Sequence, residues 1–294
     1  MLELPNPFAG EGGVIRLPEG PGCDPGSLVE QVLAGTYDKP FVIEDDGARC
    51  LYFTRAFIQT EMRLADPYAL AFAYTRAMMA FLLFLPDPRS ILMLGLGGGS
   101  LAKFCHRRLP GARITAIEID PHVVAFRDQF LLPADDGRFR VVLGDAVAHV
   151  AQGEERHDVV MVDAFDPQGV APTLCNRAFY ADVRQSLDRR GVLVANLVGE
   201  KTERGAHLAM IRKAFGDNVL LLPLPDDGNH VVFAFRDAAF EPRWRWIAGQ
   251  AKAMGARFDL DLAAFAVKLE RSRKQGLARR GLDDTPEPGR RRLL

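Results

Sequence analysis

SILMLGLGGGSLAKFCHRRLPGARITAIEID, from Ser90 to Asp120, reads as strand, glycine loop, helix, strand. Ile91-Leu92-Met93-Leu94 is an apolar run too short for a helix and suited to a buried parallel strand. Gly95-Leu96-Gly97-Gly98-Gly99 follows at once, and glycines there permit positive φ and let a ligand approach the backbone. Ser100 to Arg108 is expected to be a helix, ended by Pro110-Gly111. Arg113 to Ile119 is a second strand, with Glu118 near its C-terminal end. An acid about 20 residues past the first glycine is placed to hold a ribose diol. The stretch describes a βαβ unit that binds a nucleoside.

The dinucleotide fingerprint G-x-G-x-x-G needs glycine at position 100, where this chain has Ser100. The fit is instead to G-x-G-x-G at Gly95, Gly97 and Gly99, a form associated with S-adenosylmethionine-type ligands. Such ligands carry no pyrophosphate to cradle.

The 294 residues are 48% hydrophobic and 26% charged, enough for one large core with a smaller domain beside it. A net charge of -1 gives no global signal for nucleic acid. Cys23, Cys50, Cys105 and Cys175 are scattered with no C-x-x-C pair, and the six histidines include no H-x-x-x-H pair. These spacings argue against a zinc site or a disulfide framework, suit a reducing cytosol, and lead us to expect no metal. MLELPNPFAGEGG, at the start, has neither a basic nor an apolar signal region, so no signal peptide is expected. The most apolar segment, Ala71 to Leu85, is broken by Arg76 and closed by Pro86, so a buried helix is expected and no membrane partner. The expected location is cytoplasmic.

Residues 1 to 38 are rich in glycine and proline and are expected to form a loose lead-in with one short helix near Ser27 to Ala34. Phe41-Val42-Ile43 and Cys50-Leu51-Tyr52-Phe53 flank Asp45-Asp46-Gly47 as a hairpin, with Ala56 to Gln59 as a third strand. Residues 1–65 thus read as a lead-in and small antiparallel β domain. Asp66-Pro67 opens a helix expected from Tyr68 to Leu83. Strands then alternate with helices: Ile91–Leu94, Arg113–Ile119, Phe139–Leu143, Asp158–Val162, Gly191–Asn196, Val219–Leu222 and His230–Arg236. The fold class is α/β: a Rossmann-like, methyltransferase-type sheet of seven strands with helices on both faces, over 66–237. The last strand follows Asp226-Asp227-Gly228-Asn229 with no helix between, so it should pair antiparallel to its predecessor. Residues 238–294 read as helices, Trp244 to Met254 and Leu260 to Arg273, with a basic, proline-bearing tail expected to be solvated. His106, His122 and His149 are expected on solvated helix faces, and Met78 and Met79 in the core. Arg76 either pairs with a site carboxylate or reaches the surface.

In open α/β sheets the ligand sits beyond the carboxyl ends of the strands. The first strand there leads into the glycines and the second ends in Glu118. The third ends in Gly144-Asp145-Ala146, whose acid can accept from an adenine amino group or cap the next helix. The fourth ends in Asp163-Ala164-Phe165-Asp166-Pro167, whose second acid also suits a turn.

With these motifs, Tyr74 through Asp166 resembles the polyamine aminopropyltransferases, the spermidine synthases and their bacterial relatives, and the likeness extends over Phe41 to Arg236. Phe57-Ile58-Gln59 is similar to the family's N-terminal hairpin, and Tyr74 to a tyrosine preceding its glycine loop. The resemblance implies transfer of a 3-aminopropyl group from decarboxylated S-adenosylmethionine to an amine such as putrescine. It implies that Gly95, Gly97, Gly99, Glu118, Asp145 and Ala146 hold the nucleoside, and that Gln59, Tyr74, Asp163 and Asp166 hold substrate. Asp163 would take the amine proton, and Asp166 would hold a second ammonium. A small-molecule amine is the expected partner, and a homodimer accords with family habit.

Two departures bear on this expectation. The family carries an acid in the glycine loop, where this chain has Gly98, and a tyrosine near the last strand, where it has Leu224-Pro225-Asp226-Asp227-Gly228. Thr75 also replaces a glutamine. Loss of the loop acid removes a partner for the donor's ammonium and relaxes exclusion of intact S-adenosylmethionine. The alternatives are an S-adenosylmethionine-dependent methyltransferase and a non-catalytic nucleoside-binding or scaffold protein.

Overall fold

The computed structural model describes residues 1–8, 12–153, 155–166, 169–170, 172–224 and 228–280. Strand β1 (Leu2–Pro5), β2 (Val14–Leu17), helix α1 (Pro25–Ala34), β3 (Phe41–Asp45), β4 (Ala48–Thr54) and β5 (Phe57–Arg63) open the chain. The five strands form one antiparallel sheet in sequence order. The hairpin between β3 and β4 turns through Asp46 and Gly47, both at positive φ as a tight two-residue turn requires. The lead-in is more ordered than expected: β1 and β2 extend the sheet. Ile15 and Leu17 are buried beside Leu28, Val32, Tyr37 and Phe41. Arg16 joins Glu3 and Glu44 across the strands at 2.8 and 2.9 Å. Four residues of alternation between glycine-rich flanks are too short a signal to see in the sequence.

The helix expected from Tyr68 to Leu83 is shorter. Helix α2 covers Ala73–Met78 and tightens into a 3-10 turn over Met79–Leu83. Arg76 explains the late start: its guanidinium donates to the carbonyls of Leu70 and Ala71, both at 2.6 Å. Those carbonyls are thereby satisfied without a helix, and the half-buried Arg76 is held by backbone rather than by a carboxylate among the described residues. Met78 through Leu83 are all buried.

The second sheet begins with β6 (Ser90–Leu94), α3 (Ser100–Arg108), β7 (Arg113–Glu118), α4 (Pro121–Ala125), β8 (Phe139–Leu143), α5 (Ala146–Gln152) and β9 (His157–Val162). A two-residue pair, β10 (Phe165–Asp166) and β11 (Gly169–Val170), precedes α6 (Arg177–Ser186), β12 (Leu187–Leu197) and α7 (Lys201–Phe215). Then come β13 (Val219–Leu224), β14 (Asn229–Phe235), α8 (Trp244–Phe258), α9 (Leu262–Gln275) and α10 (Leu277–Arg280). The strand order is β13-β14-β12-β9-β6-β7-β8. β14 runs antiparallel to both β13 and β12, as its short connection requires.

From β6 the chain builds outward to β7 and β8 on one side and to β9 and β12 on the other. That reversal beside β6 opens a crevice at the strand ends. One face of the sheet carries Ile91, Met93, Val159, Met161, Val192 and Val194, packed with residues of α8 and α9. The other carries Leu92, Leu94, Val160, Val162 and Leu193. Burial on both faces explains the unbroken apolar strands, each such side chain contributing roughly 1.5–3 kcal/mol. Among the described residues no helix is long and apolar enough to cross a membrane. His106, His122 and His149 are half-buried rather than solvated. His106 lies 3.6 Å from Asp136 and 3.0 Å from the Arg138 guanidinium.

Candidate functional site

The crevice is built from backbone first. Gly95, Gly97 and Gly99 all have positive φ. At Gly95 the reason is close approach: a Cβ there would sit 2.3 Å from the backbone oxygen of Asp163. Glu118 closes the other side. One of its carboxylate oxygens accepts from Leu96 N at 2.9 Å and the other from Asp120 N at 3.0 Å. The acid therefore locks the glycine turn to the end of β7, and each oxygen keeps a lone pair for a ligand hydroxyl.

Asp145 caps α5, accepting from Val147 N at 2.7 Å, and its side chain is exposed with Ala146 next to it. Capping and base recognition are compatible, because one oxygen serves the helix. Two apolar residues nearby were missed in the sequence. Ile119 is 68% exposed and Leu143 56% exposed, at neighbouring strand ends where Glu118 and Leu143 are in register. Large side chains that leave the core beside a crevice offer an apolar surface for a flat ring. A leucine at the last position of a buried strand was the available signal.

Asp163 directly follows β9, its N–H donating to Leu94 O at 3.0 Å. The Asn196 amide donates to its Oδ1 at 3.0 Å, and the Tyr74 hydroxyl donates to the same carboxylate. Burial pushes the Asp163 carboxyl up to about 6, while the Asn196 and Tyr74 hydrogen bonds pull it the other way. Burial first, and then the neighbouring carboxylate, raise the Tyr74 phenol well above its ordinary range, so it stays a donor. Asp166 lies in β10, and its carboxylate falls outside the described set. Asp226 and Asp227 lie outside the described residues as well.

Gln59 is half-buried on β5, but it is its neighbour Thr60 that meets the glycine turn, accepting from Gly98 N at 2.9 Å. A Cβ on Gly98 would fall 2.5 Å from Thr60 Cγ2 and 2.9 Å from Phe130 Cδ1. Thr75 is buried and its hydroxyl donates to Phe72 O at 2.7 Å, which ties it to its own helix. Lys103 was also missed. Its ammonium is buried beneath α3, donating to Pro67 O and Phe130 O, each at 2.7 Å. Burial, and more weakly Arg49, lower it to about 8. It ties two segments bordering the crevice to α3. Among the described residues no cluster of three potential metal ligands is present.

A carboxylate with a raised pKa, placed beside a glycine turn, can accept a proton from a cationic amine near neutral pH. The family described as spermine/spermidine synthase domain matches residues 71–214. The polyamine aminopropyltransferase of Chromobacterium violaceum is 33% identical over 235 residues, covering 80% of this chain and 90% of that protein. The eEF1A lysine and N-terminal methyltransferase of Xenopus laevis is 34% identical over 155 residues, 47% of this chain but 22% of that protein. Among solved structures, a probable spermidine synthase from Corynebacterium glutamicum superposes with a TM-score of 0.60 at 19% identity, covering 76% of this chain and 84% of that one.

Proposed function

This chain belongs to the spermine/spermidine synthase family, as do the polyamine aminopropyltransferases that match it over most of their length, and from that membership we propose how its crevice works. The donor is decarboxylated S-adenosylmethionine. Its ribose diol meets the Glu118 carboxylate, its adenine lies by Ile119, Leu143, Asp145 and Ala146, and Gly95, Gly97 and Gly99 let it approach the backbone. The acceptor is a small diamine, held by Tyr74, Gln59 and Asp166. A protonated amine has no lone pair, so Asp163 takes one proton from it. The freed nitrogen attacks the donor carbon beside the sulfonium. A C–N bond forms as the C–S bond breaks, and methylthioadenosine leaves with the electron pair. Alignment of the two substrates supplies much of the remaining advantage.

The observation that carries this reading is the Asp163 carboxylate, raised to about 6 and held by Tyr74 and Asn196 next to Gly95. Methyl transfer to an anionic acceptor, which has no proton to lose, has no use for such a group.

Gly98 favours a second reading. Thr60 fills the space where the family carries its loop acid, so that position can offer the donor's ammonium no carboxylate. Intact S-adenosylmethionine is then not repelled, and methyl transfer becomes the competing chemistry. Calorimetry with methylthioadenosine, decarboxylated and intact S-adenosylmethionine, followed by product analysis with putrescine, separates the two. Preference for the decarboxylated donor and release of methylthioadenosine are expected. Preference for the intact donor, with S-adenosylhomocysteine as product, would replace aminopropyl transfer by methyl transfer.

A further inference from the structure

Three adjacent strands, β9, β12 and β14, place Asp163, Asn196 and Asn229 side by side on one face of the sheet. Asn196 donates to Asp163 Oδ1 at 3.0 Å, and its own Oδ1 accepts from Asn229 Nδ2 at 2.9 Å. We infer that Asn196, oriented by Asn229, is the positioning residue that holds the Asp163 carboxylate ready to receive the substrate proton. This deepens the assignment of Asp163 as the proton acceptor and rests on it.

Both asparagines are buried, 5% and 8% exposed. Positions 192 and 194 on the same face of β12 are valines. Continuing that pattern would put an apolar residue at 196. Polar side chains are retained in such a place only when their hydrogen bonds serve something. The direction of the chain of donors is also fixed. Flipping the Asn196 amide would set its oxygen against the Asp163 carboxylate and its NH2 against the Asn229 NH2. Asn229 thus selects, from two strands away, the Asn196 orientation that donates to Asp163.

The groups bearing on the Asp163 carboxyl are Tyr74 from α2 and Asn196 from β12, and among the described residues it has no ion-pair partner. Burial disfavours its charged form, and each donor offsets part of that effect. Removing the Asn196 donor therefore makes Asp163 harder to ionise, and removing Asn229 does the same more weakly by freeing Asn196 to rotate.

The test is the pH profile of kcat/KM for wild type, Asn196→Leu and Asn229→Leu, with Asp163→Asn as control. Methylthioadenosine affinity serves as the check on folding. In Asn196→Leu the acidic limb is expected to move up by about one pH unit, with about a tenfold loss below the limb that is recovered at higher pH. Asn229→Leu, which does not touch the carboxylate, is expected to move the limb the same way by less. A loss equal at every pH, or limbs that stay at the wild-type position, overturns the inference. Should Asn196→Leu fail to bind methylthioadenosine, the Asn229→Leu profile alone decides in the same terms. An inactive Asp163→Asn with unmoved limbs overturns the role of Asn196 only. An active one overturns the role of Asp163 and this inference with it.

Discussion

The backbone oxygen of Asp163 occupies the place where a side chain on residue 95 would begin, 2.3 Å from a Cβ built on Gly95. The glycine turn therefore lies directly against the residue proposed as proton acceptor.

Gly95→Ala should separate them. Positive φ costs a non-glycine residue roughly 1–2 kcal/mol, and the clash is with backbone that cannot rotate away. We expect a lower Tm and at least about a tenfold loss in methylthioadenosine affinity, the equivalent of ~1.4 kcal/mol. Wild-type affinity measured by calorimetry would show that the turn is not fixed by β9.

Asp163→Asn is expected to lower kcat/KM by about 10²–10⁴ and to abolish the acidic limb near pH 6. Stability should move oppositely. The folded-state pKa is raised from 3.8 to about 6, so the carboxyl's contribution is fully present below pH 4 and is lost as pH rises through 6. The loss is about 3 kcal/mol at one pKa unit per 1.36 kcal/mol. Denaturant melts at pH 8 should find Asp163→Asn at least as stable as wild type, and a less stable variant would contradict the sign.

Gly98→Asp alone should not improve selection for the decarboxylated donor, because its Cβ meets Thr60. Combined with Thr60→Ala, which removes Cγ2, the tightest contact is gone, and only the edge of the Phe130 ring at 2.9 Å and the Cβ of residue 60 at 3.0 Å must give way to the new side chain. The double variant is expected to prefer the decarboxylated over the intact donor by about tenfold more than wild type, a charge-assisted hydrogen bond's worth. Simple additivity of the two single variants in competition binding would rule out Thr60 as the occupant of that position.

His230 is buried on the face of β14 opposite Asn229. Burial, and then Arg204, lower its pKa from 6.5 to about 4. Its contribution to stability is present above pH 6.5 and lost as pH falls through 4, by about 3 kcal/mol. His230→Leu should unfold at lower pH than wild type in an acid titration followed by circular dichroism, and an unchanged midpoint would refute this.

Much of this was legible in local sequence. Helix α3 runs over Ser100–Arg108, the span its flanking glycine and proline set. The β8 strand and the antiparallel last strand also followed from pattern and connection length. Elsewhere local pattern misled. The α2 helix starts late because Arg76, read as either a partner for a site carboxylate or a residue reaching the surface, binds two carbonyls of the preceding loop. The β1 and β2 strands were hidden because four residues of alternation are outweighed by the glycines and prolines around them.

The sequence by itself determined the βαβ unit, the carboxylates at the strand ends and the family. Strand periodicity and glycine chemistry act within a few residues, so they can be read along the chain. Only the tertiary structure decided that Thr60 fills the space beside Gly98, that Lys103 ties Pro67 and Phe130 to α3, and that Asn229 and Asn196 reach Asp163. Those contacts join residues 27 to 38 positions apart. Sheet order sets the Asp163–Asn196–Asn229 chain, and the packing of separate elements sets the rest; neither is written in the pattern of neighbouring residues.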